Sequence, residues 1–196
     1  FNKYRRGGFL NPPFFDDDAN TASALIQNRM VKEGYMALDL SAPGKIIGPL
    51  VHNYAWRDVI LYALSVGAGF DEFEYVYEKG LKVIPTFSVA TIFDFFWEVA
   101  KSAKINTSGI LHGEQEIIFH EAIPTSGTFT TEGTITNYYD KGAKGALIRA
   151  ESKTAHSNGH TLFTNVMTLF GKLDGGFGGE ADPSQKTAFP DRNADY

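Results

Sequence analysis

The chain reads as an α+β protein in which a curved antiparallel sheet wraps around one helix. Three observations predict this. One β-prone segment stands early, at residues 46–54. Helical periodicity dominates from residue 57 to residue 101. From Ile110 onward Thr, Ile, Val and Phe alternate through successive strand-like segments broken by turn residues.

The elements follow in order. Residues 46–54 are apolar and β-prone and predict the first strand. Val59, Ile60, Ala63 and Leu64 fall at helical spacing in residues 57–66, and Gly67 and Gly69 stop the helix. Residues 74–78 read as a short strand. Residues 86–101 are strongly aromatic, with Val89, Ile92, Phe93, Phe96 and Ala100 at helical spacing, and predict the buried helix. Strands are then expected at 115–119, 127–139, 143–156 and 160–172. Turn residues separate them at 124–127, 140–142 and 157–159, and Asn158-Gly159 is a strong hairpin pair.

The flanks differ in character. Residues 1–35 carry Gly7-Gly8, Pro12-Pro13 and Asp16-Asp17-Asp18, and read as an extension with a short helix near 21–33. The globular domain spans 36–180, and 181–196 reads as a linker. The sequence starts at Phe1, with Met30 and Met36 as plausible starts.

Composition narrows the function classes. The 196 residues are 43% hydrophobic, enough for a core, and the formal charge is −5. No basic tract suits a polyanion or an anionic membrane, so neither nucleic acid nor membrane is expected as a partner. Lys141 and Lys144 suffice for a single phosphate group. With no cysteine, disulfides, thiolate zinc sites and thiol catalysis are excluded. No apolar run reaches the roughly 18–20 residues of a spanning helix.

The five histidines show no metal spacing. His156 and His160 are four apart, but Asn158-Gly159 between them makes a turn, so no metal is expected. His52 reads as an ordinary strand position, and His120 with Glu121 as a hydrogen-bonded pair. Asp58 suits a helix cap. Asp94 lies among aromatics, where burial would perturb it. Gly175–Gly179 lacks the Lys-Ser/Thr of a phosphate loop and reads as a structural exit from the last strand. A Gly after a strand-start His, as at His112-Gly113, marks close approach of the backbone to something. Asp140-Lys141-Gly142 is a turn whose Lys can offer a mobile charge beside an approachable backbone.

Three of these motifs together resemble one family. Leu111-His112-Gly113-Glu114-Gln115, Asp140-Lys141-Gly142 and Gly175-Gly176-Phe177-Gly178-Gly179 are similar to runs in the N-terminal half of the hydratase 2, or MaoC-like, (R)-specific enoyl-CoA hydratases, over residues 38–180. The resemblance implies a hot-dog fold. It implies contacts to an acyl-CoA or enoyl-CoA thioester by His112, Gly113, Lys141 and Gly142, with coenzyme A as part of the substrate and no separate cofactor. It implies addition of water to a 2-enoyl-CoA, by an Asp and a His from a second hot-dog half acting as an acid–base pair.

The family's catalytic run, Asp-x-Asn-Pro-x-His, is absent from these residues. Asp191-Arg192-Asn193-Ala194-Asp195 lacks the Pro and the His. This half is therefore expected to bind acyl-CoA without catalysing, and to pair with a second hot-dog domain or subunit as homodimer or heteromer. Two other readings stay open. One is a hot-dog thioesterase with Asp94 or Glu98 as base. The other is a stand-alone acyl-CoA binding or assembly module. The resemblance places the protein in a bacterial cytoplasm or a peroxisome, although Ala-Asp-Tyr at the end is not a peroxisomal address.

Overall fold

The computed structural model describes residues 38–183, so the expectations for residues 1–35 and for most of the linker lie outside the described residues. Strand β1 (Ile46–Tyr54) leads into α1 (Trp56–Ser65), α2 (Phe73–Val76), α3 (Phe87–Thr91) and α4 (Phe93–Ser102). Four strands follow: β2 (Ile110–Phe119), β3 (Gly127–Asp140), β4 (Ala146–His156) and β5 (Thr161–Gly171). All pairings are antiparallel, in the order β1-β3-β4-β5-β2. Among the described residues β1 and β2 are therefore the two edges.

The core lies between α4 and one face of this sheet. Phe95, Val99, Ala100 and Ala103 come from the helical side, and Phe129, Ile135, Ile148, Ala150, Phe163, Met167 and Leu169 from the strands. Phe95 reaches the sheet because position 133 is glycine: a Cβ there would stand 2.6 Å from the Phe95 Cζ atom. Burying one such phenyl ring stabilises by roughly 1.5–3 kcal/mol. Tyr54 closes one end of the core, its ring 4.4 Å from Phe129 and its hydroxyl donating to the Pro124 carbonyl at 2.8 Å.

Two expectations are overturned here. Residues 74–78 form no strand. The Tyr75 and Tyr77 amides donate to the Glu72 and Phe73 carbonyls instead, closing the helical turn α2. The expected helix 86–101 is two helices, broken at Ile92 (φ −100°, ψ 11°). Around the break, Ser88 Oγ donates to the Pro85 carbonyl and Thr91 Oγ1 to the Ser88 carbonyl, and such side-chain bonds compete with the helix ladder. The break also changes the buried face: Phe95 fills the core while Phe93 is 56% exposed. β2 starts at Ile110, five residues before the expected start, because residues 110–112 and Glu114 also pair with β5, whereas the other boundaries shift by three residues or fewer. β4 starts at Ala146 because a 3-10 turn takes up Gly142–Lys144.

Candidate functional site

Among the described residues β2 is an edge strand, bonded to β5 alone. His112 lies opposite Leu169, so its side chain is on the helical side of the sheet, where its ring meets Phe96 edge-on at 5.9 Å. The register slips between His112 and Glu114, which leaves Gly113 in a bulge. A Cβ on Gly113 would lie 3.1 Å from the Thr168 carbonyl oxygen. The close approach that the glycine marks is thus an approach to β5.

Lys141 sits beyond the end of β3. Its amide donates to the Gly145 carbonyl at 2.9 Å, closing the turn. Gly142 adopts φ +59°, which favours glycine, and the space beside it is open. The Lys141 ammonium lies 3.1 Å from Asp182, with the lysine side chain 37% exposed. Sheet register relates the two motifs: His112, Leu169, Ile148 and Tyr138 lie abreast on β2, β5, β4 and β3. Both motifs therefore occupy one end of the sheet. Three ladder spacings of about 4.8 Å separate their strands, about 14 Å in all.

The glycine run does more than leave the last strand. It folds back over the Lys141 turn. Asp140 Oδ1 accepts from the amides of Gly142 (2.8 Å) and Gly176 (2.7 Å), and Oδ2 from Gly178 (2.7 Å). Partial desolvation pushes this carboxyl up, but the amides of Gly176, Gly142, Gly178 and Gly179 outweigh it and hold it below the usual aspartate value. Phe177 packs on Tyr138 with ring centroids 6.4 Å apart. On the other side of the run, the Asn106 amide donates to both oxygens of the buried Asp174, at 3.2 and 3.3 Å. Burial pushes Asp174 above its usual value, with the Asn106 amide opposing. The Lys172 amide bonds the Gly109 carbonyl at 3.0 Å. The segment 172–178 thus ties the start of β2 to the Lys141 turn. From sequence, Asp140 is legible only as part of the Lys141 turn, and Asp174 and Asp182 are missed. Of the three, only Asp140, two residues before a glycine in a turn, carries a recognisable local pattern.

The other candidate residues separate from this end. Asp94 is exposed, and Glu98 faces Lys101 at 3.4 Å. The aromatic stretch 87–97 forms core and surface, with Phe95 fully buried and Phe93 and Trp97 exposed. A groove of about 630 Å³ lies instead at the far end of β2, lined by Leu81, Val83, Pro85, Phe119, Ala122 and Ile123, with Lys82, His120 and Glu121 at its polar side. His120 and Glu121 do not pair with each other: His120 Nε2 lies 3.0 Å from Thr164 Oγ1, and Glu121 lies 3.1 Å from His160 Nδ1. His156 and His160 flank the hairpin, joined by the His156 amide and His160 carbonyl at 2.9 Å. Asp58 caps α1 by accepting from the Ala55 amide at 2.8 Å. Among the described residues, no three His, Asp or Glu side chains are grouped to hold a metal, and no helix is long and apolar enough to cross a membrane.

This combination of fold and motifs agrees with comparison to known proteins. Residues 52–172 match the MFE-2 hydratase 2 N-terminal domain. A probable enoyl-CoA hydratase 2 of Dictyostelium discoideum is 38% identical over 71% of this chain and 50% of its own length. The 3-hydroxyacyl-thioester dehydratase Y of Mycobacterium tuberculosis is 29% identical over 82% of this chain and 57% of its own. The crystal structure of a MaoC-like dehydratase from Phytophthora capsici overlays with a TM-score of 0.61, at 22% identity, over 80% of this chain and 56% of that one.

The curved sheet packed on a helix therefore defines a hot-dog fold. The chain belongs to the MFE-2 hydratase 2 N-terminal domain family. It spans about half the length of the curated relatives it matches.

Proposed function

We propose that this chain is the acyl-CoA-contacting, non-catalytic half or subunit of an (R)-specific 2-enoyl-CoA hydratase, or 3-hydroxyacyl-CoA dehydratase. The observation that supports it most is the placement of two family motifs at one end of the sheet, with a partly exposed lysine on a turn whose glycine has open space beside it. Lys141 is assigned to a phosphate of coenzyme A, and the open space at the Gly142 Cα lets the ligand come close to the turn. His112 and Gly113 are assigned to the acyl-pantetheine arm. No further cofactor is required. The groove at residues 81–85 and 119–123 supplies apolar room for an acyl chain.

The partner is a second hot-dog domain or subunit, in a homodimer or a heteromer. Among the described residues β2 is paired on one side only, which leaves an edge for it. Leu111, Ile118 and Phe119 on that strand, and Phe93 and Trp97 on α4, are between 42% and 56% exposed. A bare strand edge with apolar neighbours is a surface that folded proteins cover. The partner would bring the Asp and His that move protons around the attacking water.

The test is to mix the purified chain with coenzyme A and with crotonyl-CoA. Binding of coenzyme A without loss of the enoyl absorbance is expected. Hydration by this chain alone would contradict the non-catalytic assignment, and absence of coenzyme A binding would contradict the contact.

A further inference from the structure

Resting on the assignment of Lys141 to coenzyme A, we infer that Asp140 is the positioning residue for that lysine, holding the turn in the form that aims the ammonium at a ligand phosphate. The geometry brackets Lys141 on both sides. Its own amide is fixed on the Gly145 carbonyl, and the carboxylate before it is fixed on the Gly142 amide after it. That leaves the Lys141 backbone at φ −104°, ψ 21°. The carboxylate is itself anchored outside the turn by the Gly176 and Gly178 amides at 2.7 Å each. The Gly175 backbone lies against the Gly142 and Gly145 carbonyls, so closely that a Cβ would stand 2.2 and 2.3 Å from their oxygens. The ionised form of Asp140 is the one these donors favour.

Charge alone argues the other way, which makes the inference sharp. A carboxylate one residue from the lysine repels a phosphate. If Asp140 acted only through its charge, its removal would tighten coenzyme A binding. If it positions Lys141, removal loosens binding, and does so only while Lys141 is present.

The experiment is a double-mutant cycle on the full chain, with coenzyme A as titrant, well below each variant's melting temperature. Asp140→Asn is expected to weaken binding about tenfold, in the range lost with a charge-assisted hydrogen bond. The same change on a Lys141→Ala background is expected to alter binding less than twofold, which a purely structural role would not produce. Should Asp140→Asn fail to fold, Gly178→Ala serves. It strains a φ of +77° and meets no atom within 4 Å, so it loosens one carboxylate anchor and leaves Asp140 in place. It is expected to weaken binding about threefold. Equal or tighter binding by Asp140→Asn overturns the inference, as does a full-sized loss on the Lys141→Ala background. If Lys141→Ala itself binds as tightly as the wild type, the lysine contact fails first and takes the positioning role with it.

Discussion

The Lys141 ammonium and the Asp182 carboxylate lie 3.1 Å apart across the turn that ends β3. The lysine assigned to a ligand phosphate is thus already engaged by an anion of its own chain. Any phosphate that takes Lys141 competes with this carboxylate. Asp182→Asn is therefore expected to tighten coenzyme A binding about two- to fivefold at low salt, the range set by a partly exposed ion pair. The gain should shrink as salt screens both anions. Calorimetric titration at two salt concentrations checks both statements.

Asp140 and Asp174 hold opposite sides of the glycine run and should show opposite pH signatures. Asp140 lies below the ordinary value of 3.8, so the folded state binds fewer protons there than the unfolded chain. Its contribution is full above that value and is lost as pH falls through the folded pKa. Asp140→Asn should cost roughly 2 kcal/mol at pH 7, with the gap closing in acid. Asp174 lies above 3.8, so the fold retains a proton that the unfolded chain releases. Stability then falls as pH rises through the folded value, and the ionised carboxylate is a burden at pH 7. Asp174→Asn keeps an oxygen for the Asn106 amide and should raise the melting temperature at pH 7, with no gain below pH 3.8. Thermal melts across pH 3–8 separate the two.

The contact between Phe95 and Gly133 sets the helix on the sheet. Phe95→Ala empties a fully buried ring position and should cost about 3–5 kcal/mol. Gly133→Ala should cost about 1–3 kcal/mol, because the new methyl would meet the Glu151 carbonyl and Ser152 as well as Phe95. Urea unfolding measures both, and a neutral Gly133→Ala would mean that the helix sits further from the strands.

Tyr54 ties β1 to the loop before β3. Burial pushes its phenol up to about 12, from an ordinary value of 10. The fold therefore keeps the phenolic proton longer than the unfolded chain, and stability should decline as pH rises from 10 towards 12. Tyr54→Phe leaves the Pro124 carbonyl without this donor and should cost about 1 kcal/mol at neutral pH while removing that alkaline decline. Melting curves of the two proteins at pH 7 and pH 11 give the comparison.

Much of the fold was legible because long alternating runs admit few alternatives. The Ile46–Tyr54 strand, the Asn158-Gly159 hairpin and the three central strands follow from period-2 patterning and turn chemistry. The helix near the core was legible as a helix, but its buried face was not. Ser88 and Thr91 turn their hydroxyls onto nearby carbonyls, and the backbone at Ile92 then re-phases everything after it. The strand expected around Tyr75 failed because β propensity in a short segment yields to whichever backbone partners are near. At the candidate site, the His112 and Lys141 motifs could be read from resemblance. The clasp of Gly176 and Gly178 by Asp140 could not, since it joins residues 36 and 38 positions apart through backbone amides that carry no side-chain signature.

The most direct measurement is an amide-resolved NMR titration of the chain with coenzyme A. Shifts are expected at His112 and Gly113, at Asp140 to Gly145, and at Gly176 to Gly178, all at one end of the sheet. Shifts confined to the groove at residues 119–123, or none at saturating coenzyme A, would contradict the assignment of Lys141 and His112 to the ligand.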